Sequence, residues 1–578
     1  MTKRIKINII KIEKSSDHVG GKIMKKLIAA VLCIVMLVSA IPFAALAFEP
    51  DPNEPRESVL YGYFGPEVGG VNEFYFCYIY CRYASPSSPK NHCYLTIGIN
   101  PEFKTQYPDQ VTGVIPDYDS PDDIPWNQLG FPLYDSTHDK DDKVIKNHVS
   151  GINEILIEDG IVSIPAYSFS SSPKLSKAYI ESDALTAIPE GCFKGTALSE
   201  IEFSDSISSI GDKAFMGCAL TSITIPSSIK TIGQQAFESN SSLTTVVLSE
   251  GLESVGKYAF RYSKVTSLAI PSTLVNIGDS AFECMPELAS VTMAAGVKTI
   301  GEFAFTNDMS LESVALSSNL ESIGANAFRR CTALANIEIP ATVADIGANA
   351  FKYCKALPSV TVPAGIETIN EGAFYGCEGL TSATLPASVT KIEKEAFYDC
   401  SSLTALAIPA AVTEIGPRAF GNCASLQTIA LPVGLTIIDN YMFYGCEALN
   451  SVTIPETVSS IGKGAFYGCK ALTSLTLPSA LKAIGSDCFY ECETLSSINI
   501  PASLKSIGKY AFCRCYALQS INIPSADTII GRYAYGYFYS KDDAGFGSFG
   551  VASNTIYGPA GSAAQTYANE LGLSFVNN

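Results

Sequence analysis

The chain is poor in the residues that most enzymes use for catalysis. Its 578 residues include only four histidines and one tryptophan, and charged residues make up 17%. No G-x-S-x-G, H-E-x-x-H or P-loop motif occurs, so the sequence gives no support to the reactions that those motifs carry out. We therefore expect a non-enzymatic protein with no cofactor and no bound metal. The histidines all precede residue 150: His18, His92, His138 and His148.

Basic residues are also scarce. The chain has 39 Lys and Arg against 57 Asp and Glu, which gives a formal net charge of -18 at pH 7. A surface this acidic repels the phosphates of nucleic acids and of anionic membranes. We therefore exclude nucleic acid from the expected partners.

Only one long hydrophobic run occurs, and it lies near the beginning of the chain. Two lysines precede the run 27–41, and residues 45–47 (ALA) form a small-x-small cleavage site. This pattern predicts a signal peptide over residues 1–47, and we hypothesise that translation starts at Met24. A membrane anchor is the alternative, but the run is interrupted and ends in a cleavage motif. The mature protein is then secreted or held non-covalently at the cell surface, with no membrane span.

In place of catalytic motifs the sequence has a regular period. A phenylalanine returns every 22 to 24 residues from Phe169 to Phe512, and Tyr535 takes the next position. From Phe305 onward the step is always 23. A period of this length is typical of one coil of a leucine-rich solenoid, in which each coil stacks on its neighbours.

This period predicts the organisation of the whole chain. We expect a β-rich repeat solenoid at 144–540, a right-handed stack of about 17 coils of 22–24 residues with short helical turns. A small β-rich module or cap is expected at 48–143, and a C-terminal cap at 541–578. In that cap, Ser562 and Gln565 form a capping box that opens a short helix, and Gly572 closes it.

Each coil follows the pattern L-x-x-[IL]-x-[IL]-P-x-x-[VL]-x-x-I-G-x-x-A-F-x-x-C. Leu406 and Ile408 alternate with small residues, as in a strand that buries one face. The proline has no amide proton and ends the strand. A short second strand follows, and we expect a left-handed backbone at the glycine after it. Asn370 and Asp439 replace the glycine in two coils, and both residue types tolerate a left-handed backbone. Glu393 replaces it in a third coil and is the one residue that does not fit this expectation.

A cysteine closes many coils. Stacked strands bring equivalent Cα atoms within disulfide range, but their Cβ atoms stay about 4.8 Å apart, beyond the usual ~3.8 Å. Metal ligands must converge, and a single column does not converge. We favour buried free thiols that act as small apolar fillers, which implies an anaerobic habitat. The members are Cys331, Cys354, Cys377, Cys400, Cys423, Cys446, Cys469, Cys492 and Cys515, with Cys218 as an early outlier.

Residues 472–478 (LTSLTLP) and 461–469 (IGKGAFYGC) make the unit resemble the BspA-like class of leucine-rich repeats. Seventeen coils match, and residues 556–576 resemble the usual end of such proteins. The resemblance implies an exported adhesin that attaches to host matrix or to other cells. It transfers no specific binding residues, because the family motif is a folding motif.

Two columns of the repeat are candidate binding surfaces. One is a nearly uncharged column formed by the residues that alternate with the inward residues of the first strand. Either these small residues are present only because they suit a stacked sheet, or the column binds an extended polymer or a flat partner. The other is aromatic and follows the core phenylalanine, where it either packs on the turn or contacts a protein or a sugar. Its members are Tyr375, Tyr398, Tyr444, Tyr467 and Tyr490.

Residues 48–143 differ in character from the coils. Cys77, Cys81, His92 and Cys93 form a possible zinc set, but adjacent His and Cys seldom reach one ion, and a disulfide or free thiols are favoured. The acidic stretch 135–142 departs from a calcium loop and is expected to be a solvated loop.

Three functions stay open: a monomeric adhesin for an extracellular protein, a binder of mucin or plant polysaccharide, and, least favoured, a hydrolase located before the coils.

Overall fold

The computed structural model describes residues 152–541, 547–551 and 554–578, together with the backbone of five earlier strands. Side chains are described within 152–536 and 554–578. The expected signal peptide, the start at Met24 and the acidic stretch 135–142 lie outside the described residues. The five earlier strands are Glu57–Phe64, Glu67–Val68, Val71–Asn72, Tyr75–Arg82 and His92–Ile99.

The chain folds into a parallel β-solenoid of about 18 turns, against the 17 expected. Most turns have a first strand and a short second strand. These strands pair in register with their equivalents in neighbouring turns, so Ser474 faces Ser497 and Ser460 faces Ala483. Residue 405 forms only an isolated bridge to Thr428. The first strands are Glu154–Ile157, Lys177–Ile180, Glu200–Glu202, Ser222–Ile225, Thr245–Leu248, Ser267–Ile270, Ser290–Met293, Ser313–Ala315, Asn336–Ile337, Ser359–Thr361, Ser382–Thr384, Thr428–Ala430, Ser451–Thr453, Ser474–Thr476, Ser497–Asn499, Ser520–Asn522, Thr555–Gly558 and Ser574–Asn577.

The second strands contain two residues each. They are Ala187–Ile188, Ser209–Ile210, Thr231–Ile232, Ser254–Val255, Asn276–Ile277, Thr299–Ile300, Ser322–Ile323, Asp345–Ile346, Thr368–Ile369, Lys391–Ile392, Glu414–Ile415, Ile437–Ile438, Ser460–Ile461, Ala483–Ile484, Ser506–Ile507 and Ile529–Ile530.

The core of the solenoid is a column of stacked phenylalanine rings. From Phe169 to Phe512, successive ring centroids lie 5.1–5.9 Å apart with interplanar angles of 1–20°. All of these rings are buried, together with the inward isoleucines and leucines of both strands. Because each ring contacts the ring of the next coil, the 23-residue period fixes the register of the whole stack.

The turn that carries each phenylalanine is not helical. In the coil of Phe215, the amides of Lys213, Phe215 and Gly217 donate to carbonyls of the next coil at 2.7–2.8 Å. Lys213 and Gly217 have positive φ, 56° and 67°, and equivalent left-handed residues recur in the other coils. Within residues 152–541 no helix is present, so the expected short helical turns are hydrogen-bonded turns interrupted by left-handed residues.

The prediction of a left-handed backbone at the glycine after the second strand is wrong. None of the glycines in this position has a positive φ. Glycine is needed there because neighbouring coils approach closely: a Cβ on Gly485 would lie 2.5 Å from the carbonyl carbon of Gly462. Glu393 is therefore no exception to a left-handed column, since the left-handed residues lie two positions later.

Both ends of the solenoid are extended by additional strands. At the N-terminal end, His92–Ile99 pairs in parallel with the first coil strand Glu154–Ile157 and antiparallel with Tyr75–Arg82, which pairs with Glu57–Phe64. Near the C-terminal end, Tyr537–Lys541 and Gly547–Val551 form an antiparallel hairpin.

The C-terminal segment contains the helix Ala563–Leu571, whose caps agree with the sequence prediction. The Ser562 hydroxyl accepts from the amide of Gln565, and Gly572 has a left-handed φ of 68°. The Gln565 side chain accepts from the amide of Gly561, one residue before the position expected for a capping box. None of the helices in the described part of the chain is long and apolar enough to cross a membrane.

Candidate binding surfaces

The five tyrosines predicted as a binding column form one edge of the solenoid, here called the tyrosine strip: Tyr375, Tyr398, Tyr444, Tyr467 and Tyr490. Each follows a core phenylalanine directly and is half-buried. The ring centroids of Tyr375 and Tyr398 are 4.9 Å apart, and Tyr467 lies 5.2 Å from Tyr444 and 4.8 Å from Tyr490. The structure therefore brings the predicted residues together as two stacks of rings.

Gly421 separates the two stacks. A Cβ at this glycine would lie 2.8 Å from Cδ2 of Tyr398, so the Tyr398 ring occupies the space of the missing side chain. The Asn422 side-chain amide donates to the Tyr398 hydroxyl at 3.0 Å. The glycine thus fixes the position of the Tyr398 ring rather than leaving a gap.

Burial favours the protonated form of four hydroxyls of the strip. Desolvation raises the pKa of Tyr375 and of Tyr467 to about 12, and burial also raises the pKa of Tyr398 and Tyr490. At neutral pH these hydroxyls can both donate and accept hydrogen bonds.

A cation covers the N-terminal end of the strip. The Lys352 ammonium lies 4.0 Å from the centroid of the Tyr375 ring, and desolvation lowers the pKa of Lys352. Tyr353 contacts Tyr375 edge to face at 5.3 Å between centroids. Four further tyrosines occupy left-handed positions beside the strip and were not predicted from the sequence: Tyr353, Tyr441, Tyr510 and Tyr533. Each lies two residues before or after a core aromatic residue, and this spacing is the signal that could have identified them.

The uncharged column of the first strands is exposed along its whole length. Glu338 is its single charged member, so this surface consists almost entirely of small uncharged side chains. We call it the plateau: Thr224, Val247, Ala269, Thr292, Ala315, Glu338, Thr361, Thr384, Ala407, Ala430, Thr453, Thr476, Asn499 and Asn522.

The cysteine column is buried, and its thiols are free. Each thiol donates to the carbonyl of the core phenylalanine in the preceding coil; Cys400, for example, lies 3.2 Å from the Phe374 oxygen. The cysteines are thus hydrogen-bonding links between coils as well as apolar fillers. Asn240 makes the same contact, with Nδ2 2.8 Å from the Phe215 oxygen.

The backbone register bears on the possible zinc set, although the side chains of these residues lie outside the described part. Cys81 faces Cys93 and His92 faces Arg82 across an antiparallel pair, while Cys77 faces Ile97. Among the described residues no cluster of three or more potential metal ligands occurs.

Comparison with known proteins identifies the class. The stacked 23-residue coils define a leucine-rich-repeat solenoid. A family model described as "BspA type Leucine rich repeat region (6 copies)" matches residues 147–244, 230–358, 344–455 and 436–542, and the chain belongs to this family. No curated protein matches. Proteins of this family are generally non-catalytic binding scaffolds, and membership supports a repeat-based role in protein interaction.

Three solved structures are similar in arrangement. A leucine-rich repeat protein from Bacteroides ovatus ATCC 8483 is 22% identical over 78% of this chain and 97% of its own, with a TM-score of 0.37. A leucine rich cell surface protein from Faecalibacterium prausnitzii A2-165 is 26% identical over 48% of this chain and 89% of its own, with a TM-score of 0.31. A leucine-rich repeat protein from Eubacterium ventriosum ATCC 27560 is 22% identical over 65% of this chain and 92% of its own, also with a TM-score of 0.31. At these scores the family match alone carries the assignment.

Proposed function

We propose that this chain is an exported, non-enzymatic adhesion protein whose solenoid binds a protein of the host matrix or of a neighbouring cell. The tyrosine strip carries the proposal. It offers rigid, amphipathic rings whose conformations are fixed by their neighbours, so a partner binds without ordering them. The plateau supplies a second, uncharged surface for a flat partner.

The stacking of the strip favours a protein over a glycan. A sugar that stacks on tyrosine needs a free ring face, but Tyr467 has Tyr444 and Tyr490 on its two sides. The Tyr375 ring is likewise occupied by Lys352 and Tyr398. For these two rings, what remains for a partner is edges and hydroxyls, which suit the polar backbone and apolar side chains of a polypeptide.

Export is the remaining part of the proposal. It is supported by the charged, hydrophobic and small-residue pattern of residues 1–47. The buried free thiols favour an anaerobic habitat, because an oxidising exterior drives exported cysteines into disulfides.

Binding of the mature chain to arrays of matrix proteins, cell-surface proteins and polysaccharides tests the proposal. The test variant replaces Tyr444, Tyr467 and Tyr490 by alanine. Removing a buried anchor typically costs about 2 kcal/mol, or roughly 30-fold in Kd, so we expect capture on protein spots to be lost.

The matched control replaces three tyrosines that lie outside both the strip and the plateau. Capture by the control should equal that of the wild type. Capture on polysaccharide alone, or equal capture by both variants, would contradict the proposal. The control residues are Tyr258, Tyr262 and Tyr516.

A further inference from the structure

Alternate tyrosines of the strip form a complete series along the solenoid. Tyr398, Tyr444 and Tyr490 follow one another at intervals of 46 residues, which is two coils, whereas the intervening series is interrupted at Gly421. The centroid distances of 5.2 and 4.8 Å on either side of Tyr467 place Tyr444 and Tyr490 about 10 Å apart. Tyr398 precedes Tyr444 by the same two coils, or about 9.6 Å at about 4.8 Å per coil. We call Tyr398, Tyr444 and Tyr490 the hydroxyl row.

Neighbouring rings hold the hydroxyl row in place. Tyr398 and Tyr490 each have a stacked neighbour, at 4.9 and 4.8 Å between ring centroids. Tyr441 meets Tyr444 edge to face, at 6.0 Å between centroids and an interplanar angle of 79°. The positions of the three hydroxyls are therefore set before a partner arrives, so binding costs little ordering of these side chains.

The hydroxyl row offers hydrogen-bond donors. The Tyr398 hydroxyl accepts from the Asn422 side-chain amide at 3.0 Å, and this bond leaves its own proton free to donate. Burial raises the pKa of Tyr490 although the nearby Arg514 guanidinium opposes the shift, so this hydroxyl keeps its proton at neutral pH. The Tyr444 hydroxyl forms no hydrogen bond with any residue that the structure describes. A partner that meets the row must therefore present acceptors.

The spacing of the row selects one backbone conformation of a polypeptide partner. In polyproline II, with three residues per turn and a rise of about 3.1 Å, the carbonyls on one side recur every ~9.3 Å and have no internal hydrogen bonds. In an extended strand the carbonyls on one side recur every two residues, or about 6.6–6.8 Å. In an α-helix the carbonyls are already bonded within the helix. The two-coil spacing of the row agrees with the polyproline II repeat to within about 1 Å and with neither alternative.

We propose that the hydroxyl row binds a proline-rich segment in the polyproline II conformation, which lies parallel to the axis of the solenoid. Tyr398, Tyr444 and Tyr490 then donate to the carbonyls of every third residue of the segment. Proline suits this surface because it brings no amide proton that would need an acceptor, and because its backbone is ordered before binding. This assignment rests on the proposed function, since it names the class of polypeptide that the strip binds.

Surface plasmon resonance on an immobilised, end-blocked polyproline peptide of about 12 residues, or four turns, tests the proposal. The mature wild-type chain should bind this peptide saturably. A glycine–serine peptide of equal length should bind about tenfold or more weakly, because it is a flexible coil that must be ordered on binding. The polyproline peptide in solution should also displace the chain from the protein spots that capture it.

Two double variants separate the hydroxyl row from the rest of the strip. Tyr444→Phe with Tyr490→Phe removes two donors of the row and keeps both rings, so binding of the polyproline peptide should weaken about tenfold. The matched control, Tyr375→Phe with Tyr467→Phe, removes two hydroxyls of the strip that lie outside the row and should bind like the wild type. Equal urea unfolding midpoints of the two variants show that both keep the fold.

Three results would overturn the proposal: no saturable binding of the polyproline peptide by the wild type, equal loss of binding in the two double variants, or equal binding of the glycine–serine peptide. If any of these is found while the wild type is still captured on protein arrays, the proposed function stands without this class of partner. Peptide binding that follows the hydroxyl row, with no capture on any protein spot, would support the polyproline site and contradict the proposed function.

Discussion

Replacing Asp308 by cysteine is expected to stabilise the middle of the solenoid at neutral pH. Asp308 occupies the position of the cysteine column and is fully buried. Its Oδ1 accepts from the Met285 amide at 2.6 Å, but Oδ2 has no hydrogen-bond partner among the described residues. Thiols in this position donate to the carbonyl of the preceding phenylalanine, and only a protonated carboxyl group can do the same.

The direction of the pH dependence follows from the pKa of this carboxyl group. Burial raises the pKa of Asp308 well above its usual value, and the negative charge of Glu283 adds to the shift. The folded state then holds the proton more tightly than the unfolded state, in which the pKa is about 3.9. This contribution to stability is fully present below about pH 3.9 and is lost as the pH rises toward the folded pKa, by up to about 1.4 kcal/mol per unit.

The expected gain follows from the unpaired oxygen. A buried polar group without a partner costs about 1–3 kcal/mol, so Asp308→Cys should raise the free energy of unfolding by about that amount at pH 7. Asp308→Asn should remove the pH dependence, because an amide does not titrate.

Amide hydrogen exchange at Met285 and its neighbours, measured from pH 5 to 8 and corrected for intrinsic exchange rates, provides a local readout that does not require two-state unfolding. Asp205→Asn, which changes an exposed acid, serves as the control and should leave protection unchanged. If the wild type shows the same pH dependence as Asp308→Asn, the buried carboxyl group does not titrate as described and the reasoning is refuted.

Three further predictions concern the packing of the coils. Gly485→Ala should destabilise the solenoid by about 1–3 kcal/mol, because the new Cβ meets the backbone of Gly462. At Gly217 there is open space for a Cβ, so Gly217→Ala should cost only about 1 kcal/mol, from the left-handed φ alone. Urea unfolding of the two variants measures this difference. Phe374→Ala should cost about 3–5 kcal/mol by opening a cavity in the ring column, and a smaller loss in the same assay would argue against close stacking. Maleimide labelling followed by peptide mapping should modify the half-buried Cys284 in the folded protein and reach the cysteine column only after unfolding, because the column thiols are buried. Early labelling of the column would contradict its burial.

The sequence predicted the period, the strands and the buried column correctly, because apolar residues at fixed spacing have one interpretation in a stack. It did not reveal why glycine recurs. A glycine signals either a positive φ or a lack of space, and at Gly485 only the stacked neighbour shows that space is the reason. The left-handed residues escaped notice because they include Lys213 and Tyr510, which carry no signature of that conformation.

The candidate site was predicted only in part. The spacing placed the tyrosines of the strip in one column, but not the contact between their faces, which depends on the distance between coils and on side-chain rotamers. The hydrogen bond from each cysteine to the preceding phenylalanine carbonyl likewise depends on geometry that one coil alone does not contain. The domain boundaries stay predictions.

Insertion of two extra coils tests the in-register stack most directly. Duplicating residues 424–469 adds two periods, and small-angle scattering of the mature protein then compares the two lengths. The stack predicts an increase of roughly 10 Å in the maximum dimension, at about 4.8 Å per coil, with an unchanged cross-sectional radius. A thicker particle of unchanged length would contradict it.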